Sequence, residues 1–427
     1  MRSATRRDQV AMNILIVCNY FPMPDRQADL LRLSHMLRML RLRHQVSFFA
    51  HHGRNQSEHW GAGVVQRYKD DLVELGVKIV ERIVPALETE AYDVVMFEYY
   101  TFAVPYLAQV RWRQPQARIL VDTIDLAYVR LTAKAGATKK AEDVADAERV
   151  KRIELGVYAS VDAILTISDA EKAMISKELP SLPVDTIPLI IDVRPYKPRS
   201  RLVRCSLIFV GNFAHRANVD AIIFFCKEIL PLIAATVPAT RVDVVGNDAP
   251  PEVQLLASEH VFIRGYVQDL AALYEASDIA IAPLTWGGGL KGKVAEAMLH
   301  GLPVVTTTVG AAGFDLDPDS DALVRDSPQG FAEAVLRLFA SDLEYERVRA
   351  NGWRLAKERY SYEAVCGKLL TFFDALLRLP VKKGSFLDEM RLRLGDAVEH
   401  HLPCRSFLEK HVLWRFNRFR RKSSAQI

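Results

Sequence analysis

The chain has 427 residues, 50% hydrophobic and 25% charged, which excludes disordered and collagen-like classes and leaves ample material for large cores. At roughly 100 to 200 residues per domain, two large domains or three small ones are expected. Lys and Arg number 56 against 52 Asp and Glu, but the near balance hides an asymmetry: residues 1–11 carry net +2, residues 381–427 net +6, and the body between them net −4. Five cysteines (Cys18, Cys205, Cys226, Cys366 and Cys404) are odd in number and too widely spaced for a metal set, so reduced thiols in a cytoplasmic chain are expected. Arginines ahead of the apolar run Met12 to Cys18 have the outline of a signal peptide, yet the run is short and no small-residue cleavage site follows. No uncharged apolar stretch reaches the roughly 18 residues of a membrane span.

Short apolar runs alternate with segments of helical period, the pattern of parallel sheets covered by helices. Strands are predicted at 13–18, 45–49, 77–80, 93–97, 118–122 and 162–167. The first helix, 28–43, is expected to bury Leu30, Leu33, Met36, Leu37 and Leu40, and to turn Arg32, His35, Arg38 and Arg43 outward. A Pro-rich stretch, 188–198, reads as a linker. The pattern then restarts, with strands at 206–211, 241–246, 261–265, 278–283 and 303–307, a helix from about Asn218 and another from about Lys293. Two doubly wound domains in tandem result, and such sheets bind ligands beyond the carboxyl ends of their strands, so the cleft between the domains is the expected site.

The most informative segment runs from Trp286 to Thr307, WGGGLKGKVAEAMLHGLPVVTT. A strand ends, three glycines allow close backbone approach, and a helix begins beside Lys291 and Lys293. Free N–H groups, the positive end of the helix dipole and two ammonium charges suit a phosphate or diphosphate. Glu296 follows one turn later, where a carboxylate can meet sugar hydroxyls. Gly287, Gly292 and Lys293 have Walker A spacing, but Val294 stands where Ser or Thr would hold magnesium, which argues against a P-loop ATPase.

The second half of the chain, through GGGLKGKVAEAMLHGLPVVTT, FVGNFAHRANVDAIIFF and FIRGYVQDLAALYEASDIAIAPL, resembles the retaining glycosyltransferases of family four, which have the GT-B fold; VDTIDLAYVR and ELGVYASVDAILTISDAE extend the likeness into the first half. The resemblance implies two Rossmann-like domains facing a cleft: an acceptor domain over 12–195, a nucleotide-sugar donor domain over 196–359, a helix over 360–380 crossing back to the first, and a basic tail over 381–427. It implies transfer of a sugar from a nucleotide-sugar to a glycan or lipid-linked acceptor with retention, in cell-surface polysaccharide assembly, with no metal or cofactor. Carried onto this sequence, donor contacts fall to Gly211, Asn212, His215, Tyr266, Val267, Gly288, Gly289, Leu290, Lys291, Lys293 and Glu296. Lys291, Asp125 and Asp122 are the catalytic candidates, and Glu98 and Arg26 face the acceptor. Departures are visible: Gly288 replaces a carboxylate common in relatives, and Asn212 and Asn218 stand where Arg and Lys often face the diphosphate. Two other readings stay open: a sugar-nucleotide epimerase, which also pairs Rossmann-like domains, and an inactive relative acting as an assembly partner, which Gly288 and Asn212 suggest.

The segment 410–422, KHVLWRFNRFRRK, has six basic residues and no acid. Within 405–422 it reads either as an amphipathic helix on an anionic membrane, the inner face of the plasma membrane, or as a solvated terminal helix on the body. Nucleic acid is not an expected partner, because the basic residues lie outside both domain cores.

Overall fold

The structure, a computed structural model, describes residues 11–26, 28–197, 203–287 and 290–383. Seven strands, β1 (Asn13–Cys18), β2 (Gln45–Ala50), β3 (Lys78–Ile79), β4 (Val94–Glu98), β5 (Arg118–Asp122), β6 (Ala163–Thr166) and β7 (Val184–Thr186), form a parallel sheet in the order β3-β2-β1-β4-β5-β6-β7. Six more, β8 (Ser206–Val210), β9 (Arg241–Val245), β10 (Val261–Gly265), β11 (Ile279–Ala282), β12 (Val304–Thr306) and β13 (Leu323–Val324), form a second parallel sheet in the order β10-β9-β8-β11-β12-β13. This is the GT-B architecture of two Rossmann-like domains. The strand order reverses between β1 and β4 in the first sheet and between β8 and β11 in the second, so each domain has its ligand crevice there.

The central strands are runs of Val, Ile, Leu and Phe because helices cover both faces and leave no position for a solvated side chain. The first sheet separates two cores. One packs β1, β2 and β4 against the helix Ala28–Arg41, and the other packs their opposite faces against the helices that follow β4 and β5. Helices begin where a hydroxyl can take up a free amide: Ser168, Thr307, Ser327, Ser341 and Ser361 each accept a bond from the backbone N–H three residues on.

Two expectations need correction. Arg32 and His35 do not face solvent; both are buried, while Arg38 and Arg43 are exposed. The first half of the Pro-rich stretch is not a free linker. Leu189, Ile190 and Ile191 are buried, and the Ile191 N–H donates to the Tyr360 carbonyl at 2.9 Å. Across that bond the chain changes domain: the helix Asp342–Tyr360 packs on the second core, and after Ser361 the helix Tyr362–Leu376 lays Val365, Leu369, Phe373 and Leu376 into the first. Most of the basic tail, residues 384–427, lies outside the described residues.

Candidate active site

On the second domain, the crevice is framed by the loops after β8, β9 and β11. Gly211 and Gly246 let the first two loops touch: a Cβ on Gly246 would stand 1.8 Å from the Gly211 carbonyl oxygen. Asn212 shapes the loop after β8. Its Oδ1 accepts from the Ala214 N–H at 2.9 Å, forming the turn that leads to His215 and the helix Arg216–Phe224. Asn218 is buried in that helix, donates to the Asn212 carbonyl at 2.7 Å, and accepts from Lys293 Nζ. The asparagine that stands where relatives often carry a cation therefore serves to aim one, the lysine of the next loop.

The loop after β11 closes with the N-terminus of the helix Gly292–Leu299, capped by Lys291, which has no side-chain cap bond. A Cβ on Gly292 would approach Ala28 Cβ of the first domain to 3.3 Å, so the two domains meet at this helix start. Lys291 is buried, and burial pulls its ammonium down to about 8 against the opposing pull of Glu171 and Asp125 across the cleft. Burial and the neighbouring Lys291 charge bring Lys293 down to about 7; its Nζ also lies 4.8 Å over the Phe209 ring. Two amines and two helix N-termini make a site that favours a polyanion. Leu290 packs beside Gly313, and Gly288 and Gly289 lie outside the described residues. Glu296 turns to Tyr274 in the domain interior, where burial raises its carboxyl to about 7 and the Tyr274 hydrogen bond partly offsets that. Val267 is partly buried against the second core. Tyr266, after Gly265 at φ +66°, is exposed and reaches Asp25 of the first domain at 3.3 Å.

On the first domain, the sequence candidates separate. Asp125 lies in the cleft, paired with Arg130 at 2.8 Å through Oδ2, while its Oδ1 is buried without a hydrogen-bond partner. Asp122 does not stand free for catalysis. It is fully buried and clamped by Arg32, whose terminal nitrogens lie 2.5 and 3.1 Å from its two oxygens. Glu98 is likewise withdrawn from an acceptor. It is 2% exposed and hydrogen-bonded to Cys18, and burial with the nearby Asp29 charge lifts its carboxyl to about 8, so it is neutral at pH 7. Arg26 bridges the domains, stacking 4.6 Å from the Trp60 ring and 5.4 Å from the Tyr266 ring. His51 and His52, after β2, are bound to Tyr106 and Asn19 at 2.5 and 2.8 Å; burial and the adjacent His52 hold His51 at about 4, a neutral ring.

Sequence reasoning missed Asp29, Tyr99, Glu154 and Glu171. Asp29 begins the first helix and faces His215 across the cleft. Glu171 is buried with Oε2 unpartnered and faces Lys291. Its signal was present: Ser168 and Glu171 have the spacing of a helix-start capping pair, and the Glu171 N–H does donate to Ser168 Oγ, at 3.3 Å. Among the described residues, no three His, Cys, Asp or Glu converge as a metal-holding group.

Residues 204–341, which hold the lysine loop, match the profile of the family described as glycosyl transferases group 1. A 44.6 kDa protein of the cps region of Klebsiella pneumoniae is 23% identical over 222 residues, 49% of this chain and 55% of that one. The MMP alpha-(1->4)-mannosyltransferase of Mycolicibacterium hassiacum is 27% identical over 233 residues, 51% of this chain and 55% of its own. The match thus spans about half the length of these curated relatives. In structure, the chain superposes on sucrose-phosphate synthase from Thermosynechococcus elongatus with a TM-score of 0.61 at 15% identity, covering 86% of this chain and 99% of that one. Anabaena HepE, solved with UDP and glucose, gives 0.61 at 14% identity, covering 85% and 100%. These likenesses establish the GT-B fold.

Proposed function

We propose that this chain is a glycosyltransferase that moves a sugar from a nucleoside-diphosphate donor to a glycan or lipid-linked acceptor, with retention, in the assembly of a surface polysaccharide at the cytoplasmic side of the cell. One observation carries the reading: Lys291 and Lys293 meet at a helix start on the crevice of the second sheet, opposite Asp125 of the first domain. Ammonium groups held in a poorly hydrated cleft are placed to stabilise charge that grows on a departing diphosphate. The bond from the anomeric carbon to the diphosphate oxygen breaks, the acceptor oxygen bonds that carbon on the same face, and the acceptor proton leaves with the diphosphate. The relatives named for mannosyl transfer and for the cps region support a glycan-building role. No described helix is long and apolar enough to cross a membrane, and any membrane contact falls to the basic segment 405–422.

The test is nucleotide release from UDP-, GDP- and ADP-sugars by the purified chain, with and without a membrane lipid extract. Release that rises with the extract is expected. A folded protein that binds none of the three nucleoside diphosphates overturns the reading.

A further inference from the structure

Tyr99 directly follows β4 with φ +68° and ψ 144°, a backbone region that glycine occupies at ease and a tyrosine does not. The neighbouring residues hold it there: its N–H donates to the Asp122 carbonyl at 2.8 Å, and the helix Tyr100–Ala103 starts at the next residue. The strained position coincides with the point between β1 and β4 where the order of the first sheet reverses, the place such a sheet offers a ligand. The phenol lies among Asp125, Asp29 and Glu98, with Arg130 supplying the opposite charge. Asp125 and Asp29 are also the groups that face Lys291 and His215 of the second domain. Tyr99 therefore neighbours two carboxylates that also face the second domain.

Rings gather at the same sheet edge. Tyr20 follows β1, His51 and His52 follow β2, and Phe102 and Tyr106 follow β4; all are part-exposed, with centroids 5.5 to 6.2 Å apart for His51–Tyr106, His51–Phe102 and Tyr20–His52. Part-exposed rings, four of the five carrying a polar atom, match the alternating apolar faces and hydroxyl edges of a saccharide.

We infer that Tyr99 orients the attacking hydroxyl of a saccharide acceptor, hydrogen-bonding it at the switch point of the first sheet, with Asp29 and Asp125 at the same end of the cleft and the Tyr20, His51, His52 and Phe102 rings along the sugar. The inference rests on the glycosyltransferase reading. Burial keeps the phenol protonated well above its ordinary range, so it is a hydrogen-bond donor and accepts no proton from the acceptor.

The experiment titrates the full chain, with UDP present, with p-nitrophenyl glucoside, galactoside, mannoside and N-acetylglucosaminide, and compares wild type with Tyr99→Phe. Loss of about tenfold in affinity for the glycoside that wild type binds is expected, with UDP affinity and melting temperature within error of wild type. Tyr99→Gly, whose backbone accepts φ +68° without strain, is the second variant and should lose at least as much. Unchanged glycoside affinity in both variants, or a wild type that binds UDP and none of the four glycosides, overturns the inference. A wild type that binds no UDP, GDP or ADP overturns the donor reading instead.

Discussion

Arg32 holds Asp122 through both terminal nitrogens of its guanidinium, at 2.5 and 3.1 Å, and neither side chain touches solvent. The same guanidinium donates to the carbonyls of Ile187 and Pro188, at 2.7 and 3.0 Å, so one side chain ties the first helix, the end of β5 and the start of the interdomain segment. Removing one partner leaves a buried charge uncompensated, which costs roughly 3 to 5 kcal/mol. Asp122→Asn and Arg32→Met should each lower unfolding free energy by that order in urea titrations, and leave nucleotide affinity near wild type in whatever fraction stays folded. A stable Asp122→Asn protein with abolished turnover would instead return Asp122 to the catalytic candidates.

That pair also marks what the sequence could and could not disclose. Helical periodicity assigns a charged residue to the outer face by default, and nothing local to Arg32 names a partner 90 residues away. Central strands such as β1, β4 and β8 were legible because burial on both faces leaves long apolar runs; β7 and β13, of three and two residues, leave none. The lysine loop was legible because glycine and cation crowd one short segment. The first-domain groups facing that crevice, Asp125 and Glu171 toward Lys291 and Asp29 toward His215, come from separate loops and helix starts, and their convergence is a property of how the domains meet.

Glu154 takes the N–H groups of Ala127 and Tyr128 at 3.1 and 2.8 Å and the Tyr158 hydroxyl at 2.7 Å. It acts as the N-terminal cap of the helix Ala127–Thr138, whose preceding residue, Leu126, has no side chain able to do so. Glu154→Ala should cost about 1 to 3 kcal/mol and speed amide exchange over 127–138 more than in the distant helix Pro328–Ala340. Uniform exchange across both helices would refute the capping role.

Glu98 predicts a dependence of stability on pH. Its carboxyl is raised from 4.5 to about 8 in the fold, so the folded chain keeps a proton that the unfolded chain releases. The stabilisation from this group is complete below about 4.5 and is lost as pH rises through 8, at up to about 1.4 kcal/mol per pH unit. Glu98→Gln keeps the neutral shape and removes the titration. The variant should gain on wild type steadily between pH 5 and 8 in denaturant midpoints, and a constant difference over that range would rule the mechanism out.

Lys291 and Lys293 predict a dependence on pH in binding. With the ammonium groups brought to about 8 and about 7, the free protein loses both charges between pH 6 and 9, and a diphosphate binds the protonated forms. Affinity for UDP or GDP should fall with rising pH, by roughly tenfold per unit between pH 7 and 8 and more steeply above 8, and binding near pH 7.5 should take up protons, measurable by calorimetry in buffers of different ionisation enthalpy. Lys291→Ala should weaken binding by about tenfold or more and, by removing the like charge beside Lys293, move the remaining inflection above 7. Asp125→Asn acts in the other direction, because it removes an anion that faces Lys291 in the cleft: the lysine loses some of its charge-keeping support, while the diphosphate loses a competitor. The second effect dominates where Lys291 is already protonated, so at pH 6 the variant should bind the diphosphate more tightly than wild type and the advantage should shrink by pH 9. Affinity that is flat from pH 6 to 9 in wild type would mean that these amines do not meet the diphosphate.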